Sequence, residues 1–173
     1  MKRKVLIFLA MYMILILSTI NVAFADYPTY LWGDKNYILC GAHMGYACYI
    51  DKSSLVVEEY NPPTYRLAIN VIGVEDADRG NTTPSNKVIT SHFLYNYDTK
   101  KMYTLWPNDN KWHYIAPVGS MAETGHYFTG EMAFYLAYKM KFYGGRQWWS
   151  ARENRYMSVN FSDNIYNSID DAR

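Results

Sequence analysis

Apolar and polar positions alternate along most of the chain after residue 36, in short runs separated by turn residues. In the strongest run, residues 65–74, the odd positions from Tyr65 to Val71 are apolar, whereas Arg66 and Asn70 fall on the other face. Alternation with a period of two predicts antiparallel strands joined by short turns. We therefore predict strands at residues 37–40, 47–50, 55–60, 65–74, 87–97, 102–106 and 112–115, with a turn at 51–54 and a polar loop at 75–85.

The periodicity changes after Pro117 and indicates a helix. Thr129 suits the N-cap, Glu131 falls in the first turn, and Gly144-Gly145 provides the stop. These signals predict one helix at about residues 130–143. The face expected to pack on the sheet consists of Met132, Ala133, Leu136, Ala137, Met140 and Tyr143.

The other side of this predicted helix carries Phe134, Tyr138 and Phe142 at positions i, i+4 and i+8. A helix that is apolar nearly all round must be covered by something. The favoured cover is the chain's own segment 146–161, and the alternative is a partner protein or a second protomer. Residues 162–173 are polar and are expected to fray.

Together these patterns predict an α+β fold in a single domain over residues 26–161. Its expected architecture is an antiparallel β-meander sheet with one C-terminal α-helix packed on a face. Consecutive strands with short connections favour the meander because sequential strands usually pair.

The first 25 residues have the form of a signal peptide. A basic start at Lys2, Arg3 and Lys4 precedes the apolar run 5–20, and Ala23-x-Ala25 suits cleavage before Asp26. The apolar run is shorter than the roughly 20 residues that span a bilayer, although an uncleaved anchor remains the alternative. We expect an exported protein of the periplasm, cell surface or medium, without a membrane span after cleavage.

Composition narrows the classes of function. The chain has 173 residues, 17 basic against 16 acidic side chains, 17% aromatic residues and 18 Tyr. This length favours one domain over a multidomain enzyme. The balanced charge gives no electrostatic argument for nucleic-acid binding, which needs a concentrated basic face.

The two cysteines, Cys40 and Cys48, lie close together in the sequence. Export to oxidising conditions and an even cysteine count favour a disulfide, so we predict that the two cysteines clasp a small hairpin. Zinc would need further ligands at close spacing, and a redox pair would normally be Cys-x-x-Cys.

Catalytic motifs are missing from the sequence. The four histidines lack helical ligand spacing, and no serine lies in a Gly-x-Ser-x-Gly elbow. Asp76 and Asp78 resemble the start of a calcium loop, but Lys87 occupies the position where an EF-hand needs Glu. We predict no catalytic residue, cofactor or metal, and keep as the alternative a small periplasmic hydrolase or metal-dependent enzyme using His92, His113 or the Asp76/Asp78 loop.

The excess of aromatic residues suggests binding, because exposed Tyr and Trp offer large contact areas at little entropic cost. Adjacent Trp148 and Trp149 on a strand must point to opposite faces, which leaves one of them available. We predict a non-enzymatic binding or envelope-associated protein that contacts protein or glycan, with a periplasmic inhibitor or chaperone-like partner as a further possibility. The candidate binding residues are Phe134, Tyr138, Phe142, Trp148 and Trp149.

The segment Cys48-Tyr49-Ile50-Asp51-Lys52-Ser53-Ser54, with the later Phe93–Tyr97 run and Trp112, resembles the surface-adhesin E-like family over about residues 32–115. The run 130–138 with Phe142-Tyr143-Gly144 also resembles uncharacterised exported proteins of bacteria with two membranes. The first resemblance implies a small β-sheet domain with helical packing that binds host or envelope components. Loop 75–85, the cysteine pair and the tail after Gly144 depart from the family, and no functional residue is transferred.

Overall fold

The computed structural model of the protein describes residues 27–117, 121–144, 147–150, 153–158 and 164–172, without the side chains of residues 86, 121–127, 147, 148, 150 and 158. The predicted signal peptide, residues 1–25, lies outside the described residues. Within the described ranges, no helix is both long enough and apolar enough to cross a bilayer.

Six strands form one antiparallel sheet in which each strand pairs with the next along the chain. The predicted α+β class and antiparallel meander are therefore confirmed. The strands are β1 Tyr37–His43, β2 Tyr46–Asn61, β3 Thr64–Val74, β4 Pro84–Asn96, β5 Lys101–Trp106 and β6 Lys111–Ile115.

The sheet is staggered, because its outer strands pair with only part of their neighbours. Strand β1 pairs with β2 only as far as Asp51. Strand β5 pairs with β4 only between Phe93 and Asn96. Among the described strands, the second half of β2 and the first half of β4 consequently each have a free edge.

The predicted turn at residues 51–54 is an irregularity within β2 instead of a chain reversal. The register with β3 shifts between Asp51 and Val56. The Asp51 carboxylate accepts hydrogen bonds from the backbone N–H and hydroxyl of Ser53, at 3.1 and 2.7 Å. The local turn chemistry was therefore interpreted correctly, but the chain resumes the same strand after it.

Helix α1 spans Met121–Tyr138, so it begins and ends earlier than the predicted helix at 130–143. Gly130 lies inside it, where an added Cβ would come within 2.4 Å of the Met102 sulfur. Glycine here allows the helix to approach the sheet closely, and the Tyr95 hydroxyl donates to the Gly130 carbonyl at 2.7 Å. The helix stops before Lys139, whose φ of 55° is left-handed.

A second helix, α2, spans Asn164–Asp170, so the prediction of a frayed tail is wrong for residues 164–172 and the fold has two described helices. Ile169 and Ala172 belong to the main core. The ring of Tyr166 packs against that of Tyr135 on α1, with centroids 4.8 Å apart. Helix α2 therefore supplies cover for α1 that we expected from segment 146–161.

The C-terminal end of α2 is held by side chains from the start of the described chain. The Tyr30 hydroxyl donates to the Ser168 carbonyl at 2.8 Å. The ammonium groups of Lys35 and Lys52 donate to the carbonyls of Asp171 and Ala172. Cations at a helix C-terminus satisfy carbonyls that have no partner within the helix and complement its dipole.

The main core lies between the sheet and the two helices. On the sheet it contains side chains that alternate along each strand, among them Phe93, Tyr95, Met102 and Ile115. A second, smaller cluster lies around Tyr49. Leu31, which precedes β1, and Ala77 from loop 75–85 cover it. Its buried members are Leu31, Ala47, Tyr49, Ile72, Val74 and Ala77.

Glu131, predicted to occupy the polar first turn of a helix, is instead fully buried. Its carboxylate accepts hydrogen bonds from the backbone N–H groups of Phe142 and Tyr143, at 2.7 and 3.0 Å, and from the Tyr166 hydroxyl at 2.8 Å. Burial raises the pKa of this carboxyl above its ordinary value. Glu131 therefore connects α1, the segment that follows it, and α2.

Candidate functional site

Two of the predicted binding residues, Phe134 and Phe142, are fully buried in the main core, which corrects the prediction that they face outward. Phe134 packs against Tyr65 and Tyr95, with ring centroids 5.5 and 4.8 Å apart. Phe142 does not continue the i, i+4 row, because α1 ends at Tyr138 and the following segment turns Phe142 inward. These two rings stabilise the fold and are not available to a ligand.

Tyr138 lies at the border of the core and is half-buried. Its ring contacts Tyr65 and the largely exposed Tyr60, with centroids 5.1 and 6.0 Å apart. Tyr138 is therefore partly accessible next to Tyr60. It does not form an exposed row on α1 with Phe134 and Phe142, because those two rings are buried.

The remaining predicted residues lie on a separate two-stranded hairpin, β7 Gln147–Ser150 and β8 Arg155–Ser158. Trp149 pairs with Tyr156, and their rings meet edge to face with centroids 5.3 Å apart. Both side chains are more than half exposed. The side chain of Trp148 is not among the described ones, so of the two predicted tryptophans only Trp149 is placed as an exposed ring.

A second aromatic surface lies on the sheet face opposite the helices, which we call the outer face. Of its rings, Tyr114 is exposed, and Tyr103 and Trp112 are half-buried. The outer face is built by residues that alternate with inward-facing residues along β2–β6. Both helices pack on the other side of the sheet. The outer face consists of Val56, Arg66, Leu94, Tyr103, Leu105, Trp112 and Tyr114.

Strand register aligns four of these side chains in one row. Arg66 pairs with Leu94, Leu94 with Tyr103, and Tyr103 with Tyr114. The two tyrosine rings lie 5.6 Å apart, and Tyr114 remains 45% exposed at the edge strand. Partial burial, and then the neighbouring Tyr103, raise the pKa of Tyr114, so the Tyr114 hydroxyl stays protonated at neutral pH.

Charged side chains border these rings on the β2 side. Arg66 lies 3.9 Å from the Glu58 carboxylate and 3.7 Å from that of Glu59. Its guanidinium is also 6.0 Å from the centre of the Trp112 ring. His92 is 2.9 Å from Glu58. The outer face thus combines aromatic rings with ionisable groups of both charges.

The histidines of the enzyme alternative do not converge. His92 lies on the outer face side and pairs with Glu58, whereas His113 lies on the opposite side of the sheet, paired with Asp109 at 2.8 Å and stacked on Trp106. Within the described part of the chain, no group of three His, Cys, Asp or Glu side chains is placed to hold a metal. The two histidines are therefore not placed for a shared acid–base site.

The Asp76/Asp78 loop folds against the β1–β2 hairpin. The backbone N–H of Ala77 donates to the Gly45 carbonyl at 2.7 Å, and the Asp76 carboxylate pairs with Arg79 at 3.3 Å. The Asp78 carboxylate lies beside Gly45. The two carboxylates therefore have different neighbours. Contacts with the β1–β2 hairpin and with Arg79 explain the position of this loop without a metal ion.

The predicted disulfide clasp is not supported, because Cys40 and Cys48 are both free thiols. Their strands do pair as a hairpin, but the register shifts between Leu39 and Gly41, so Gly41 and not Cys40 lies opposite Cys48. Burial raises the pKa of Cys40 to about 12. Cys40 is therefore a protonated core residue at neutral pH, not a nucleophile.

Sequence reasoning missed the outer face, although a signal for it was present. Tyr103 and Leu105 alternate with inward residues on β5, and Trp112 and Tyr114 do so on β6. Apolar and aromatic residues at the outward positions of two adjacent strands indicate either a fully buried sheet or an exposed aromatic surface.

The chain matches no protein-family model, no curated protein and no solved structure. The resemblance to the surface-adhesin E-like family thus stays a prediction.

Proposed function

We propose that the protein is an exported, non-enzymatic binding protein of the cell envelope that contacts protein or glycan through aromatic side chains on its outer face. The observation that carries this proposal is the row from Arg66 through Leu94 and Tyr103 to Tyr114. These side chains project from four adjacent strands of one sheet, so the sheet holds them in fixed positions.

The chemistry of this row suits recognition. Tyrosine and tryptophan provide rigid apolar area together with a hydrogen-bonding group, and arginine is likewise enriched where binding energy concentrates. Arg66 is already oriented by Glu58 and Glu59, which lowers the entropic cost of using it for a ligand. The border of mixed charge favours a neutral or weakly charged ligand over a polyanion.

The test measures binding by the protein purified from the exported fraction. The probes are immobilised neutral hexose polymers, an amino-sugar polymer, and purified envelope proteins of the source cell. We expect retention on one probe, and at least about tenfold weaker binding after Tyr114→Ala or Trp112→Ala if these rings are central contacts.

The matched control is Trp149→Ala, which removes an exposed ring on the β7–β8 hairpin instead of the sheet. Loss of binding with Trp149→Ala and retention with Tyr114→Ala and Trp112→Ala would assign the site to the hairpin and contradict the outer face. Failure of the wild-type protein to bind any probe, or its recovery from the cytosol, would contradict the proposed function itself.

A further inference from the structure

In the part of the chain that the structure describes, the stagger of the sheet leaves the first part of β4 without a neighbour on one side. Strand β5 pairs with β4 only from Phe93 to Asn96, so the first part of β4 has a neighbour on the β3 side alone. Val88 is 58% exposed and Ile89 41% exposed in this part. An edge of this kind offers unpaired backbone groups to another strand.

The direction of these backbone groups follows from one hydrogen bond. The Thr104 hydroxyl on β5 donates to the His92 carbonyl at 3.2 Å, so the carbonyl of His92 points to the β5 side of β4. Backbone groups alternate sides along a strand. Val88 and Thr90 therefore direct their N–H and C=O groups to the same side, beyond the end of the β4–β5 pairing.

The other edges are blocked by means that natural sheets commonly use. On β1, the Leu39 N–H donates to the Thr29 carbonyl at 2.9 Å, and Tyr30 bridges to Ile38. The free edge of β2 carries adjacent Glu58 and Glu59. The edge strand β6 is short and begins with a lysine.

By contrast, the free part of β4 has a single charge. Between Pro84 and Ser91 only Lys87 is charged, and Val88-Ile89-Thr90 is a run of β-branched residues. Antiparallel self-pairing of this segment about Val88 would place Val88 opposite its own copy, and Lys87 opposite Ile89 of the second copy. No like charges would face each other in this register, whereas self-pairing of β2 about Glu58 would oppose two glutamates.

The β4–β5 pairing ends at Phe93, five residues from Val88, although β5 itself continues to Trp106. Strand β5 pairs with the end of β4 that contains Phe93–Asn96, and the free segment is the other end of the same strand. With a two-fold axis at Val88, β4 of the second copy is antiparallel to β4 of the first. The residues of the second copy that pair with its own β5 then lie beyond the start of the first copy's β4. Each copy can then add one strand to the other.

We propose that two copies of this chain pair through the free edge of β4, antiparallel about a two-fold axis at Val88, and join their sheets. The pairing satisfies the N–H and C=O groups of Val88 in both copies and covers the exposed β-branched run. This dimer contact is made by the backbone edge of β4 and by Val88, which is on the same side of the sheet as Leu94 but is not part of the row from Arg66 to Tyr114. It can therefore be tested separately from the proposed ligand site.

The test is the oligomeric state of the protein purified from the exported fraction, measured by sedimentation velocity over a concentration series. We expect a dimer for the wild type and a monomer for Val88→Lys, because the substitution would place two lysines directly opposite each other. Val56→Lys is the matched control, since Val56 is a valine of similar exposure on the free edge of β2. It should leave the dimer intact.

A mixing experiment tests the register and guards against a folding defect. Val88→Lys and Val88→Glu proteins should each be monomeric alone and should form a mixed dimer when combined, because opposite charges would then face each other. A monomeric wild type at all concentrations, equal disruption by Val56→Lys, or no mixed dimer would each overturn the proposal. Association only with an added peptide, and not with a second copy, would also overturn it.

Discussion

The two faces of the six-stranded sheet carry similar side chains in opposite environments. On the helix-covered face, Phe93 and Tyr95 are fully buried, and Tyr95 donates a hydrogen bond to the Gly130 carbonyl. On the outer face, the neighbouring Leu94 aligns with Tyr103 and with Tyr114, which is nearly half exposed. Residue type alone therefore does not separate core from surface in this protein.

The separation comes from strand parity and from the two helices. Successive residues of one strand point to opposite faces, so a shift of one position exchanges a core ring for a surface ring. The helices cover only one face. The charged residues follow the same division, because Glu131 is fully buried under hydrogen-bond donors whereas Glu58 lies beside Arg66 and His92.

The most disruptive change to the helix-covered face should be Phe134→Ala. It removes a fully buried ring that contacts Tyr65, Tyr95 and Phe142, so we expect the free energy of unfolding to fall by about 3–5 kcal/mol. Urea denaturation followed by far-ultraviolet circular dichroism measures this loss. A loss below about 1 kcal/mol would mean that Phe134 is not in the core.

Glu131→Ala should have the next largest effect. It leaves the N–H groups of Phe142 and Tyr143 and the Tyr166 hydroxyl without their acceptor, which we expect to cost about 2–4 kcal/mol. The same urea titration measures it, and Tyr166→Phe, which removes only one of the three donors, is the control and should cost less.

The pH dependence of Glu131 sharpens this comparison between buried and exposed acids. Because its pKa is raised in the folded state, the folded protein binds the proton more tightly than the unfolded chain does. The contribution of Glu131 to stability is therefore largest below the ordinary glutamate pKa and declines as pH rises through the raised value. As pH rises between the ordinary glutamate pKa and the raised value, the free energy of unfolding of the wild type should fall relative to that of Glu131→Gln. A relative rise would contradict a raised pKa for Glu131.

The smallest effect should come from Tyr114→Ala on the outer face. Tyr114 is nearly half exposed and lies on an edge strand, so we expect a loss of less than about 1 kcal/mol. The same denaturation assay measures it. A loss comparable to that of Phe134→Ala would show that the outer face is structural, which would remove the basis of the proposed binding site.

Much of the sheet could be predicted from sequence because period-two alternation is a local signal. The run from Tyr65 to Val74 is a strand as expected, and the pairing of β4, β5 and β6 follows the predicted short connections. The turn predicted at residues 51–54 failed for a tertiary reason. The side chain of Asp51 makes the expected local hydrogen bonds, but β3 continues alongside and keeps the chain in the sheet.

The predictions of the helix limits and of the exposed aromatic row were wrong because the limits of a helix depend on tertiary packing. Gly130 was interpreted as a helix boundary, whereas it lies where α1 passes close to Met102. An αL residue other than glycine, Lys139, ends the helix. Once the helix stops at Tyr138, Phe142 leaves the row and enters the core, and no local signal in the sequence revealed this.

The docking of α2 has a consequence for the order in which the protein is made. Ile169 and Ala172 share one core with sheet residues such as Ile38, and Lys35 and Lys52 hold the carbonyls of Asp171 and Ala172. A nascent polypeptide that has emerged only through β6 lacks these contacts, so the main core seen in the structure is complete only once Ala172 has been added.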